Sequence, residues 1–271
     1  MTPNKSKDKN PFKGLASFEI QDASLYHGNE NIKLSLLRQL SYTNFVSLLG
    51  VKGSGLTSLL NAKIIPTLQE GFIIKGIKDW KIASLYPGIN PIRSLASALA
   101  QVNFIRSTPN DKVDPGLIEK FEKILTHHKY GIIEILEEHK LIANCNILLN
   151  IDRLDDLFHL KRKGEDSLEL DIFLTRLEEI INQSVYPIST IVSMRSKRSY
   201  DLASYFPGRS TFIESVNKNQ VNLPIFSIAD LMSSIDFFES KGYMTFDTDV
   251  KDHISVSVSY THLTLPTNRE V

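Results

Sequence analysis

The chain has 271 residues, 42% of them hydrophobic and 23% charged, ordinary globular material and enough for one large domain with the beginning of another. Lysine plus arginine and aspartate plus glutamate each number 31, so no net field recruits nucleic acid or anionic lipid. One cysteine excludes an internal disulfide, and no run approaches the roughly 18 apolar residues of a membrane span. The chain is therefore expected in the cytoplasm, with no membrane and no nucleic acid among its partners.

Residues 1–10 are polar and lysine-rich without an apolar core, and are expected to be disordered rather than a targeting signal. From Ile32 to Leu40 the apolar residues fall at helical spacing, and the apolar run Phe45 to Leu49 then suits a buried strand. Gly50, Gly53 and Gly55 follow, and Thr57, Ser58, Leu59 and Leu60 open a helix. Strand, glycine loop and helix make a phosphate cradle: glycine permits positive φ, which turns backbone N–H groups toward an anion that the helix N-terminus also favours. From Gly50 through Ser54 and Gly55 to Thr57 the spacing is that of G-x-x-x-x-G-K-[ST], with Leu56 where the lysine should stand. The competing reading is a glycine-serine hairpin loop after a core strand. A P-loop demands a second buried strand that ends in an acid for magnesium, and Cys145 to Asp152 provides one, followed by Asp155 and Asp156.

Further along, Trp80 to Leu85 reads as a strand ended by Pro87-Gly88, and Pro91 to Phe104 as a helix. Leu117 to Lys140 reads as two helical pieces parted at Tyr130-Gly131, and Leu170, Phe173, Leu174, Leu177, Ile180 and Ile181 share one helical face. Pro187 precedes the strand Ile188 to Met194; Leu231, Ile235 and Phe238 mark another helix, and Phe246, Val250 and Ile254 the start of one more. Alternating strands and helices imply an α/β fold, a parallel sheet with helices on both faces. Ligands of such sheets bind at the carboxyl ends of the strands, where Gly50, Asp152 and Arg195 fall. Cys145 reads as a small buried hydrophobe, Lys52 as a solvated loop lysine, and His127, His128 and His139 as helix-surface residues rather than metal ligands. Lys161-Arg162-Lys163 reads as a solvated loop.

The order of these motifs resembles the novel STAND NTPases, signal-transduction ATPases with numerous domains related to the AP-ATPases and NACHT proteins. The residues that carry the likeness are Pro11 to Glu30, the glycine loop with Ile65-Pro66 behind it, Leu85-Tyr86-Pro87-Gly88, Asp152-Arg-Leu-Asp155-Asp156, Met194-Arg195 and Val221 to Gly242. The resemblance implies a three-layer P-loop NTPase domain over 11–218 and the start of a helical lid over 219–257. It implies ATP or ADP with Mg²⁺ as ligand. The backbone of Gly53, Gly55, Leu56 and Thr57 would hold phosphate beside Ser58, and Thr57 and Asp152 would hold the metal. Asp155 would orient the attacking water, Asp156 capping the next helix as the alternative, and Arg195 would sense the γ-phosphate. Gly28-Asn29-Glu30 corresponds to a Gly-Arg-Glu motif beside the adenine, its arginine replaced by Asn29. Such proteins continue into C-terminal repeat or effector domains and form homo-oligomers on activation. Residues 258–271 resemble the in-frame translation of a sequencing-library adapter, which implies a truncated fragment. A hydrogen bond to a charged partner is worth ~1.5–3 kcal/mol, so leucine for lysine should weaken triphosphate binding by roughly ten- to a hundred-fold. Two readings result: a nucleotide-dependent switch with slow or absent hydrolysis, and a pseudo-NTPase scaffold that binds no nucleotide.

Overall fold

In the computed structural model of the chain, residues 13–14, 16–74, 76–103, 113–139, 145–162, 167–247, 249 and 251 are described. Five strands, β1 (Phe45–Gly50), β2 (Trp80–Leu85), β3 (Asn146–Ile151), β4 (Ile188–Arg195) and β5 (Gln220–Leu223), form one sheet in the order β2-β3-β4-β1-β5. Every pairing in it is parallel. The three central strands are near-continuous apolar runs, buried along almost their whole length, because both faces of the sheet are covered.

Alternation along the strands sorts their side chains into two cores. Phe45, Leu49, Ile147, Leu149, Ile151, Val192 and Met194 point to one side, where Leu95, Leu99, Phe121, Leu125, Phe173 and Phe212 meet them. These come from the helices Pro91–Asn103, Pro115–His127, Ser167–Ile181 and Ser210–Lys218. Val46, Leu48, Leu148 and Ile191 point to the other side, against Leu36, Leu40, Leu59, Ile64 and Leu68. That layer consists of the helix Glu30–Tyr42 and the helical run after the glycine loop, Leu56–Leu59, a π turn at Leu60–Ile64, and Ile65–Gln69. The α/β expectation of helices on both faces thus holds.

The same alternation delivers the polar ends of the strands. Asp152, two pairs beyond Leu148, and Ser193 and Arg195, which follow Ile191 at intervals of two, fall on the side of the glycine-loop helix.

Several expectations need adjustment: Lys161 and Arg162, expected in a loop, close the helix Leu157–Arg162. Arg195 closes β4 rather than following it. Gln220–Leu223, expected at the start of the lid, is an edge strand hydrogen-bonded to β1, so the sheet runs past the boundary at 218. Only Val221 and Leu223 of its four residues are buried, too short an alternation to stand out. Cys145 is buried just ahead of β3, whose first residue is Asn146. The helix marked by Leu231, Ile235 and Phe238 is Ile228–Ser240, capped by Ser227 and Asp230 in a reciprocal capping box. Residues 1–10, most of the helix suggested by Phe246, Val250 and Ile254, and the whole of 258–271 lie outside the described residues. Among the described residues no helix is long and apolar enough to cross a membrane.

Candidate functional site

At the carboxyl end of β1 the chain turns through a loop in which Gly53 and Gly55 have φ of 84° and 93°, left-handed backbone that L side chains rarely adopt. Gly50 serves a different need: a Cβ there would lie 2.4 Å from Ser54 Oγ and 3.1 Å from Leu56 Cδ2. The loop is closed by Ser54 N–H donating to Val51 O at 3.1 Å, and Leu59 N–H donating to Gly55 O at 2.8 Å starts the helix. Among the described residues, Ser54 Oγ is buried without a hydrogen-bond partner. In place of the expected cation, Leu56 lays its side chain against the second core. Lys52 is exposed on the loop.

Thr57, in the first helical turn, donates its hydroxyl to Asp152 Oδ2 at 2.6 Å. The other carboxylate oxygen of Asp152 accepts from the Ser193 hydroxyl. Ser193 Oγ in turn accepts from the Arg153 backbone N–H at 3.0 Å, which holds Arg153 at φ 60°, uncommon for a residue with a side chain. Asp152 is 5% exposed, so its carboxylate is fixed between the helix of the cradle and the neighbouring strand. Ser193 escapes sequence reasoning because it is one more small residue in a buried strand; its parity with Arg195 was the available signal.

Asp155, 4% exposed, is paired with the guanidinium of Arg195 through Nε. Asp156 accepts from Arg153 Nη2 at 3.2 Å. Both carboxylates proposed for water or capping roles are therefore engaged with arginines. Tyr86, half exposed just past β2, has its phenol held above the ordinary value by partial burial, then by the negative charge of Asp152 and Glu19.

Apart from Gly50 and Tyr86, these groups line one cavity of about 690 Å³, bounded by the loop from Val51 to Ser58, by Asp152, Arg153, Asp155 and Asp156, and by Ser193 to Arg195. Gly14, Ala16, Ser17, Phe18 and His159 complete it. Its size is in the range of small-molecule and cofactor sites.

Gly28 and Glu30 are not among its lining residues. The Gly28 carbonyl accepts from Lys63 Nζ at 2.9 Å, and Glu30 pairs with Lys63 and, at 2.6 Å, with Lys33. Burial alone would raise the Glu30 carboxyl; hydrogen bonds and charge from Lys33 and Lys63 outweigh it and hold the group below its ordinary value. Asn29, where an arginine was expected, has φ 59° and donates its amide to Tyr26 OH at 2.9 Å.

A five-stranded parallel sheet between helical layers, with a glycine loop and an acid at adjacent strand ends, is the fold of the P-loop ATPases. Several solved structures share it at low identity. A Walker-type ATPase of Pyrococcus abyssi has 13% identity and a TM-score of 0.51 over 91% of this chain, which spans 66% of that protein, just under two thirds of its length. A chain of the Escherichia coli MS115-1 HORMA:CdnC:Trip13 complex has 16% identity and a TM-score of 0.50 over 94% of this chain and 80% of that one. A search of the curated proteins gives no match. The model of the Novel STAND NTPase 1 family matches residues 11–267, and the chain belongs to that family.

Proposed function

We propose that this chain is a nucleotide-binding switch module that holds ADP or ATP with Mg²⁺ in the glycine-lined cradle and hydrolyses it slowly or not at all. The observation that carries the reading is the bond from Thr57 to Asp152, 2.6 Å long, directly beside a loop whose left-handed Gly53 and Gly55 leave room for an anion. The donor set suits the group: one hydroxyl and one carboxylate offer oxygen to a hard divalent cation that keeps several waters. Backbone N–H groups of Gly53, Gly55, Leu56 and Thr57 would receive the phosphates, with Ser54 and Ser58 on either side. When bound, the metal draws charge from the phosphoryl oxygens.

Impaired turnover follows from two features of the residues. Leu56 supplies no charge to a phosphoryl group in transfer. Asp155 Oδ2 is paired with Arg195 Nε, which neutralises part of the charge that Asp155 would offer an attacking water and that Arg195 would offer a terminal phosphate. The same two features favour a second reading, a scaffold of P-loop ancestry that binds no nucleotide.

In the switch reading, the nucleotide domain extends through β5, and a lid begins with the helix Ile228–Ser240. Nucleotide state would bias how the lid and further C-terminal repeat or effector domains sit, in a cytoplasmic signalling or defence protein that oligomerises on activation. The test is calorimetric titration with ADP and ATP, with Mg²⁺ and with EDTA. Magnesium-dependent binding supports the switch; no heat in any condition, with the protein folded, refutes it in favour of the scaffold.

A further inference from the structure

The cavity at the strand ends is electrically lopsided. Among the described residues, the formally charged side chains that line it, Lys52, Arg153, Arg195, Asp152, Asp155 and Asp156, all come from the glycine loop or from the ends of β3 and β4, as does His159 just beyond. The remaining wall is formed by Gly14, Ala16, Ser17 and Phe18, none of them charged. That wall is fastened alongside the cradle helix. The Phe18 backbone N–H donates to Ser58 Oγ at 3.1 Å, and Asn61 Nδ2 donates to Glu19 Oε2 at 3.1 Å. It is also braced by its neighbours: Lys13 is paired with the buried Asp22 and places its ammonium 5.8 Å from the centre of the Phe18 ring, which meets the Tyr26 ring edge-to-face at 5.7 Å.

A nucleoside di- or triphosphate is lopsided in the same sense, a polyanion at one end and an uncharged planar base at the other. Assigning the phosphates to the glycine loop and the metal to Thr57 and Asp152 leaves the uncharged wall for the nucleoside. We infer that Gly14, Ala16, Ser17 and Phe18 form the nucleoside-binding wall of this cavity, with Phe18 the principal apolar contact of the base. The assignment rests on the nucleotide reading given above. It also replaces the expected contact at Gly28–Glu30, whose carboxylate is already taken by Lys33 and Lys63.

The test is photolabelling of the full chain with 8-azido-ADP and Mg²⁺, mapped by tandem mass spectrometry. The expected result is an adduct within residues 14–18 that excess ADP suppresses. ADP binding by calorimetry without a protected adduct in 14–18, or with one at Tyr26–Glu30 instead, overturns this assignment alone. Absence of ADP binding removes the nucleotide reading and this wall with it. Two variants of retained circular dichroism give an independent arm, Phe18→Ala and, should that one fail to fold, Ala16→Trp, which crowds the wall. Each should weaken Mg·ADP by roughly five- to a hundred-fold, the range of one lost base contact, while Mg·pyrophosphate stays within about two-fold of wild type. Equal loss of both ligands, or of neither, overturns the assignment.

Discussion

Leu56→Lys is the most informative single change, because it restores the missing charge and its cost can be worked separately. Leu56 is half-buried against the second core. Burying a whole leucine side chain is worth ~1.5–3 kcal/mol, and a lysine stem keeps part of the contact, so the variant should lose about 1 kcal/mol of stability. In a domain of this size that is roughly 2–4 °C of melting temperature. On the binding side, an ammonium hydrogen-bonded to phosphate contributes ~1.5–3 kcal/mol, so Kd for Mg·ADP and Mg·ATP should fall about ten- to a hundred-fold. Calorimetry of wild type and variant reads the second effect, and thermal unfolding without ligand reads the first. A variant that melts within a few degrees of wild type yet binds neither nucleotide more tightly would show that the loop is not a phosphate cradle.

Other substitutions probe the neighbouring contacts. Thr57→Ala removes the 2.6 Å donor to Asp152 and should abolish the difference between nucleotide affinities with Mg²⁺ and with EDTA; an undiminished difference by calorimetry would remove Thr57 from the metal site. Ser193→Ala leaves the Arg153 N–H and one oxygen of Asp152 without their partner, a cost of about 1–3 kcal/mol that urea denaturation should read as a lower midpoint. An unchanged midpoint would mean that Ser193 fixes nothing. Glu30 has a folded-state carboxyl below its ordinary value of 4.5, so its stabilising contribution is present above that pH and fades as pH falls through the lower folded value. Wild type should therefore exceed Glu30→Gln in stability at pH 7, with the two converging once the pH is below the folded value; a gap that is constant with pH contradicts the pairing with Lys33 and Lys63.

Much of the sheet was legible because its central strands are uninterrupted apolar runs such as Phe-Val-Ser-Leu-Leu and Ile-Leu-Leu-Asn-Ile, each ended by glycine or an acid. The juxtaposition of Thr57 and Asp152 was legible for the same reason, since a loop and an acid at the carboxyl ends of two strands in one parallel sheet lie at one edge. β5 was not, because four residues with only two buried carry little periodic signal. Nor were the partners that saturate the acids. That Asp155 lines the cavity and also meets the guanidinium of Arg195 depends on side-chain directions set by packing across two strands, which spacing along the chain does not encode. Glu30 illustrates the same limit: its partner Lys63 lies in the π turn Leu60–Ile64, where the extra residue per turn defeats helical counting.

The link between Asp155 and Arg195 has a consequence for how the site would respond to ionic strength. A guanidinium whose Nε is already held by a carboxylate meets an incoming anion with its charge partly neutralised, so part of the attraction is spent against that pairing and the apparent affinity is lower than an unpaired arginine would give. Dissolved salt screens the external attraction and the internal grip alike. The two influences oppose one another, and a cleft that carries its own competing anion should show a flatter dependence on added sodium chloride than one whose arginine stands ready.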